Sequence, residues 1–351
     1  MKNIQLTFAR EYRGLTQTAL ASRVRGLSQS NLSKYEKGLG MLSDEVLVRA
    51  MSVLEFPFEF LNLEISNKVD CRHYRKKASI KSSNRDKIDR FISLVAYCFD
   101  WLTESVEIPD FKFRYIDLES GTTPEEVATY VRRQFRLGTY PLDDICNFLE
   151  RNGVSVFFWD CEYEEFDGVS LVTDKGNHLV VINKNMSNDR IRFSLAHELG
   201  HTIMHQCVDF FIPEIRDKEK EAHRFASELL MPSQIIRNSL LNLKFSDLPT
   251  LKTYWLTSMS SIVLKAKNLG QIDDKRYIMI RNEMSRRAWL KKEPYDVYID
   301  EPSVIRKSYE LIIKSLGYNN KQISELCKIP LDVTEDVFGF KTNIIMMKRI
   351  V

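Results

Sequence analysis

Apolar positions recur at helical spacing over most of this chain and alternate as in strands only near its middle. Leu6 and Ala9 open an amphipathic helix ending near Gly14, a second helix covers 15–24, and a third runs over 28–38 after a turn at Arg25, Gly26 and Leu27. Thr16 and Ser28 are N-cap types, and Gly26 and Gly38 stand where helices stop. Two more helices are predicted over 44–54 and 57–61. An apolar helical run resumes over 88–102, Pro124 starts a helix capped by Thr122 or Thr123, and Pro141 starts another that ends at Asn152 and Gly153. The period then changes. Segments 154–159, 168–172 and 178–183 read as short strands, with turns at Asp167-Gly168 and Lys175-Gly176-Asn177. Ser187 to Arg190 cap a helix reaching His205, and Ala222, Phe225, Ala226 and Leu229 mark a further helix stopped by Pro232. Beyond 251 the pattern is again helical: a capped pair closing at Gly270, then 302–317 and 320–338.

These elements predict an α+β, multidomain chain, since 351 residues exceed one ordinary core. The expected order is an all-α head over 1–66, a linker over 67–90, an α+β core with a small sheet over 91–250, and a mostly helical extension over 251–351. In the head, two short helices joined by a tight turn are the helix-turn-helix plan, whose second helix enters the major groove of double-stranded DNA. Gln29, Ser30 and Asn31 at its start carry groups able to read base edges, while Lys34 and Lys37 suit phosphates. Leu20, Ala21, Val24, Leu32 and Tyr35 would pack inward. The same pattern also fits a plain helical bundle with a polar surface.

Charge sharpens this. The net charge is only +3, so affinity for nucleic acid must come from local clusters. Over 1–40, seven bases stand against two acids. The linker carries Arg72, Arg75, Lys76, Lys77, Lys81, Arg85, Lys87 and Arg90, either as a solvated joint or as an arm that touches phosphates. The first residues hold no apolar segment of the signal-peptide kind, no apolar run has membrane length, and six scattered cysteines lack CxxC spacing. A cytoplasmic chain with reduced thiols and no membrane partner is expected.

The chemistry concentrates in His197-Glu198-Leu199-Gly200-His201. On a helix, His197 and His201 lie one turn apart and converge on one tetrahedral cation, while Glu198 is the residue zinc proteases use as general base toward water. Such a site needs a third ligand. Glu219 is the expected donor, with His223 on the same flank of its helix; Glu221 falls on the other flank, where an acid near a helix start needs no further role. His205 continues the first face as a helix-end residue or partner of a ligand. Cys207 stands where a metzincin would require another residue, which disfavours that class and leaves a gluzincin-like one.

The run LAHELGHTIMH followed by EKEAHRFASELLMP resembles the ImmA/IrrE family of zinc metallopeptidases, and PEEVATYVRRQFRLGTYPLDDICNFLERNGVSV is similar to the segment leading into that family's core. His223 departs from the Asn or Asp usual there. The stretch LTQTALASRV…LSQSNLSKYEKG resembles the Xre/Cro-type repressor head, with a slightly lengthened turn. The block around 286–294 is similar to the extension of long family members, and the last hundred residues serve helical packing, a sensor or a homodimer contact, all three left open. The resemblance implies a DNA-binding transcriptional regulator bound to an operator. It also implies Zn2+ on His197, His201 and Glu219, with Glu198 catalysing hydrolysis of a protein substrate, a repressor or the chain itself. The alternative is a non-proteolytic regulator whose zinc site is structural or senses a ligand.

Overall fold

The computed structural model describes residues 2–65, 82–207, 212, 213 and 215–338. The architecture is α+β and multidomain. The described residues fall into two compact units, one drawn from 1–69, 78–107 and 304–351, the other from 108–303.

The first unit is helical. It comprises α1 (Lys2–Tyr12), α2 (Gln17–Arg23), α3 (Gln29–Glu36), α4 (Asp44–Leu54), a 3-10 turn at Phe58–Asn62, and the long α5 (Ser82–Thr103). Thr16 and Ser28 accept from the backbone of Ala19 and Asn31, satisfying the amides that α2 and α3 leave open. Leu20, Ala21, Val24, Leu32 and Tyr35 are buried as expected, with Leu6, Phe8, Leu47 and Phe60. α1 also packs on α5, where Arg90 donates to Glu11 at 2.6 Å. The basic stretch 67–90 is therefore not all linker: from Ser82 it is the start of α5. Arg72, Arg75, Lys76, Lys77 and Lys81 lie outside the described residues.

The second unit carries α6 (Pro124–Gln134), α7 (Ile145–Arg151), β1 (Val154–Trp159), β2 (Gly168–Val172) and β3 (His178–Asn183). After the strands come α8 (Asn188–His205), α9 (Lys218–Leu230), α10 (Ser233–Ile236), α11 (Leu248–Trp255), α12 (Met259–Asn268) and α13 (Asp274–Arg286). The sheet order is β1-β3-β2, with β3 parallel to β1 and antiparallel to β2. α8 lies on β2 and β3 and against α9, and its apolar residues Leu195, Leu199 and Ile203 join Phe225, Ala226 and Leu229 in one core. Within this core the fully buried Arg192 donates to the carbonyls of Asp143 and Leu142. Those carbonyls are thereby engaged outside any helix ladder. α7 accordingly starts at Ile145, four residues after Pro141, and Asp300 caps it by accepting from Cys146 and Asn147. Ser187 occupies the N-cap position of α8 but makes no side-chain cap bond.

The stretch 251–351 divides between the units. α11 to α13 join the core of the second, which closes where Ser303 donates to Glu150. α14 (Val304–Leu316), α15 (Asn320–Cys327) and α16 (Leu331–Phe338) belong to the first unit. There Tyr309 stacks on Phe338, Tyr97 donates to the Cys327 carbonyl, and Arg13 holds Asp332 at 2.5 Å. The division follows from apolar matching: Ile305, Tyr309 and Ile312 of α14 form a buried stripe, and α5 is the long apolar helix it meets.

Candidate functional site

α8 presents His197 and His201 on one face, as their spacing of four residues requires. α9 crosses closely enough to bring Glu219 opposite them. That approach depends on Gly200: a Cβ there would lie 2.9 Å from the Phe225 ring and 3.4 Å from Ala222 Cα. One ligand-type atom from each of His197, His201 and Glu219 lies within 4.8 Å of the others. The two Nε2 atoms face each other at 3.0 Å, with Glu219 carboxylate oxygens at 3.3 Å from His197 and 3.4 Å from His201.

The environment keeps His201 and Glu219 in metal-ready protonation states. Burial pushes His201 down to about 3, so its imidazole is neutral. Burial works to raise the Glu219 carboxyl, but hydrogen bonds to His197 and His201 outweigh it and hold it well below the usual carboxylate range. Two imidazole nitrogens and a carboxylate oxygen around one point suit a zinc ion, which takes such donors and keeps a fourth position open. His197 Nδ1 is buried without a hydrogen-bond partner among the described residues.

Glu198 is buried beside this triad and points to the sheet. Its Oε2 accepts from the Ser170 hydroxyl on β2 at 2.7 Å, and Ser170 accepts in turn from Gln206 at 2.9 Å. Burial raises the Glu198 carboxyl above its ordinary value, against the lowering effects of His197 and the Ser170 bond. Ser170 carries no motif. Its one signal in the sequence is a hydroxyl inside a strand otherwise apolar on both sides, where burial obliges it to find a partner.

Glu221, without an assigned role in the sequence, accepts from Arg216 and contacts His205 Nε2 at 2.9 Å. His205 in turn meets His201, Nδ1 to Nδ1, at 2.9 Å. His223 is exposed at the rim, its Nδ1 2.8 Å from the Glu219 carbonyl and its ring 4.5 Å from that of His197. Its ring centroid also lies 5.4 Å from that of Phe193, and Phe193 lines a cleft of about 810 Å³ that also touches Met186, Arg190, Trp289 and Glu293.

In the other unit, Gln29, Ser30, Asn31, Lys34 and Lys37 are all exposed on or beside α3. Gln29 donates to Gln17, Gln17 donates to Glu36, and Arg10 clamps Glu36 through two bonds of 2.6 and 2.8 Å. A part-buried ion pair thus orients the first residues of both α2 and α3.

Residues 149–267 match the family model of the IrrE N-terminal-like domain, a peptidase family, and residues 8–61 match a helix-turn-helix model. The chain therefore carries an N-terminal helix-turn-helix domain fused to an ImmA/IrrE-type domain. The first match spans the three strands, α8, α9 and every residue of the His/Glu cluster. No curated protein matches the chain. Among the described residues, no helix is long and apolar enough to cross a membrane.

Proposed function

We propose that this chain is a DNA-binding transcriptional regulator whose second unit is a zinc-dependent endopeptidase acting on a protein substrate, either a repressor or the chain itself. The observation that carries the reading is the convergence of His197, His201 and Glu219 beside the buried Glu198. His197 and His201 would hold the ion through Nε2 and Glu219 through a carboxylate oxygen. Zinc so held supplies Lewis acidity for attack of water on a carbonyl carbon.

The protein's own groups do the rest. With Oε2 engaged by Ser170, Glu198 has Oε1 for the proton of the attacking water. Its raised pKa moves it toward the range where the same carboxyl can pass that proton to the leaving amine. β2 is an edge strand of the sheet and carries Ser170, so an extended substrate would pair along it and reach the Glu198 side of the site. The cleft beginning at Phe193 would take residues on one side of the scissile bond.

Dependence on metal is tested by stripping the purified chain with a chelator and restoring it with one equivalent of zinc. Cleavage of itself or of co-encoded repressors should vanish and return, whereas cleavage that persists in the stripped protein would exclude a zinc mechanism.

A further inference from the structure

His201 is useful to a cation only if its Nε2 is bare, and a neutral imidazole can carry its proton on either nitrogen. The groups behind His201 decide which. Glu221 is forked by Arg216, through Nε at 2.9 Å and Nη2 at 2.7 Å, so toward a third group its carboxylate accepts. Its partner His205 must therefore carry a proton on Nε2, 2.9 Å away. The 2.9 Å contact between His205 Nδ1 and His201 Nδ1 requires one proton, and with the His205 Nε2 proton given to Glu221 the other ring supplies it: a His201 that ligates through Nε2 holds its one proton on Nδ1 and donates it to His205. That leaves His201 Nε2 unprotonated, facing His197 Nε2 and Glu219.

We propose that His205 and Glu221, steadied by Arg216, are positioning residues: a two-step relay that fixes the tautomer of His201 and thereby sets the affinity of the site for its metal. The inference rests on the reading of His197, His201 and Glu219 as metal ligands. It also accounts for an acid, Glu221, that lies two residues from the ligand Glu219 yet faces away from the cluster. Partners of this kind usually govern metal affinity by about 10- to 100-fold.

The relay has a polarity, and the test exploits it. A glutamine at 205 can accept from His201 through its carbonyl and donate to Glu221 through its amide, whereas leucine fills the space and does neither. Zinc affinity, measured by chelator competition on the full chain, should fall about 10- to 100-fold in His205→Leu and stay within a few-fold of wild type in His205→Gln. Equal affinity in His205→Leu and wild type would overturn the relay and leave the metal centre standing. A second readout needs neither variant nor metal: nitrogen NMR of histidine-labelled, metal-free wild type. His201 should be protonated on Nδ1 and His205 on Nε2; a proton on His201 Nε2 would refute the assignment. Absence of zinc uptake by wild type would instead count against the metalloenzyme reading, and the NMR result would still decide the relay.

Discussion

His178 shows how burial sets protonation outside the His/Glu cluster. It sits on β3, stacked 3.8 Å from the Phe111 ring, with Nε2 3.1 Å from the Tyr115 hydroxyl and Nδ1 without a partner among the described residues. Desolvation lowers its pKa from 6.5 to about 4. Above pH 6.5 the ring is neutral in both folded and unfolded chains and costs nothing. As pH falls from 6.5 toward 4 only the unfolded chain takes up the proton, so stability drops by up to about 3 kcal/mol. His178→Phe keeps the stacking and removes that proton site. Its unfolding free energy should therefore fall less between pH 7 and pH 4.5 than that of wild type, as read by denaturant titration. Parallel losses would mean that His178 is charged when folded.

Elements made of strong patterns were legible in the sequence. Turn chemistry and period placed the three strands of the described sheet, and the placement of His197 and His201 on one helix face followed from their spacing. What escaped were features set by partners distant in the chain: Ser170 behind Glu198, Glu221 behind His205, and the late start of α7 imposed by Arg192. No local signal encodes these, because the deciding group lies 16 or more residues away. The α8–α9 contact is the case where one residue links sequence to site. Gly200 stands between the two histidines and lets Phe225 approach, which sets how near Glu219 comes. Gly200→Val should lower stability by about 1–3 kcal/mol through overpacking, despite valine's better helix propensity. It should also reduce zinc retention more than stability alone would suggest. Unchanged zinc affinity in a folded Gly200→Val chain would show that this close contact does not position Glu219.

At the scale of the whole molecule, segments from both ends of the chain meet in one unit with the helix-turn-helix, and the ImmA/IrrE-type domain falls in the intervening unit. Such a division was not readable from composition, because α14 to α16 look like any surface helices until α5 is known to bury them. For DNA, Gln29→Ala should cost about 1–3 kcal/mol at an operator selected from random sequences and leave non-specific binding nearly unchanged. Equal weakening at every sequence would make Gln29 a backbone contact. The central claim, hydrolysis by a metal centre served by Glu198, is tested most directly with full-length wild type and Glu198→Gln, each loaded with zinc and offered itself and its co-encoded repressors. The account predicts one zinc per chain in both proteins and cleavage by wild type alone; undiminished cleavage by Glu198→Gln would contradict it.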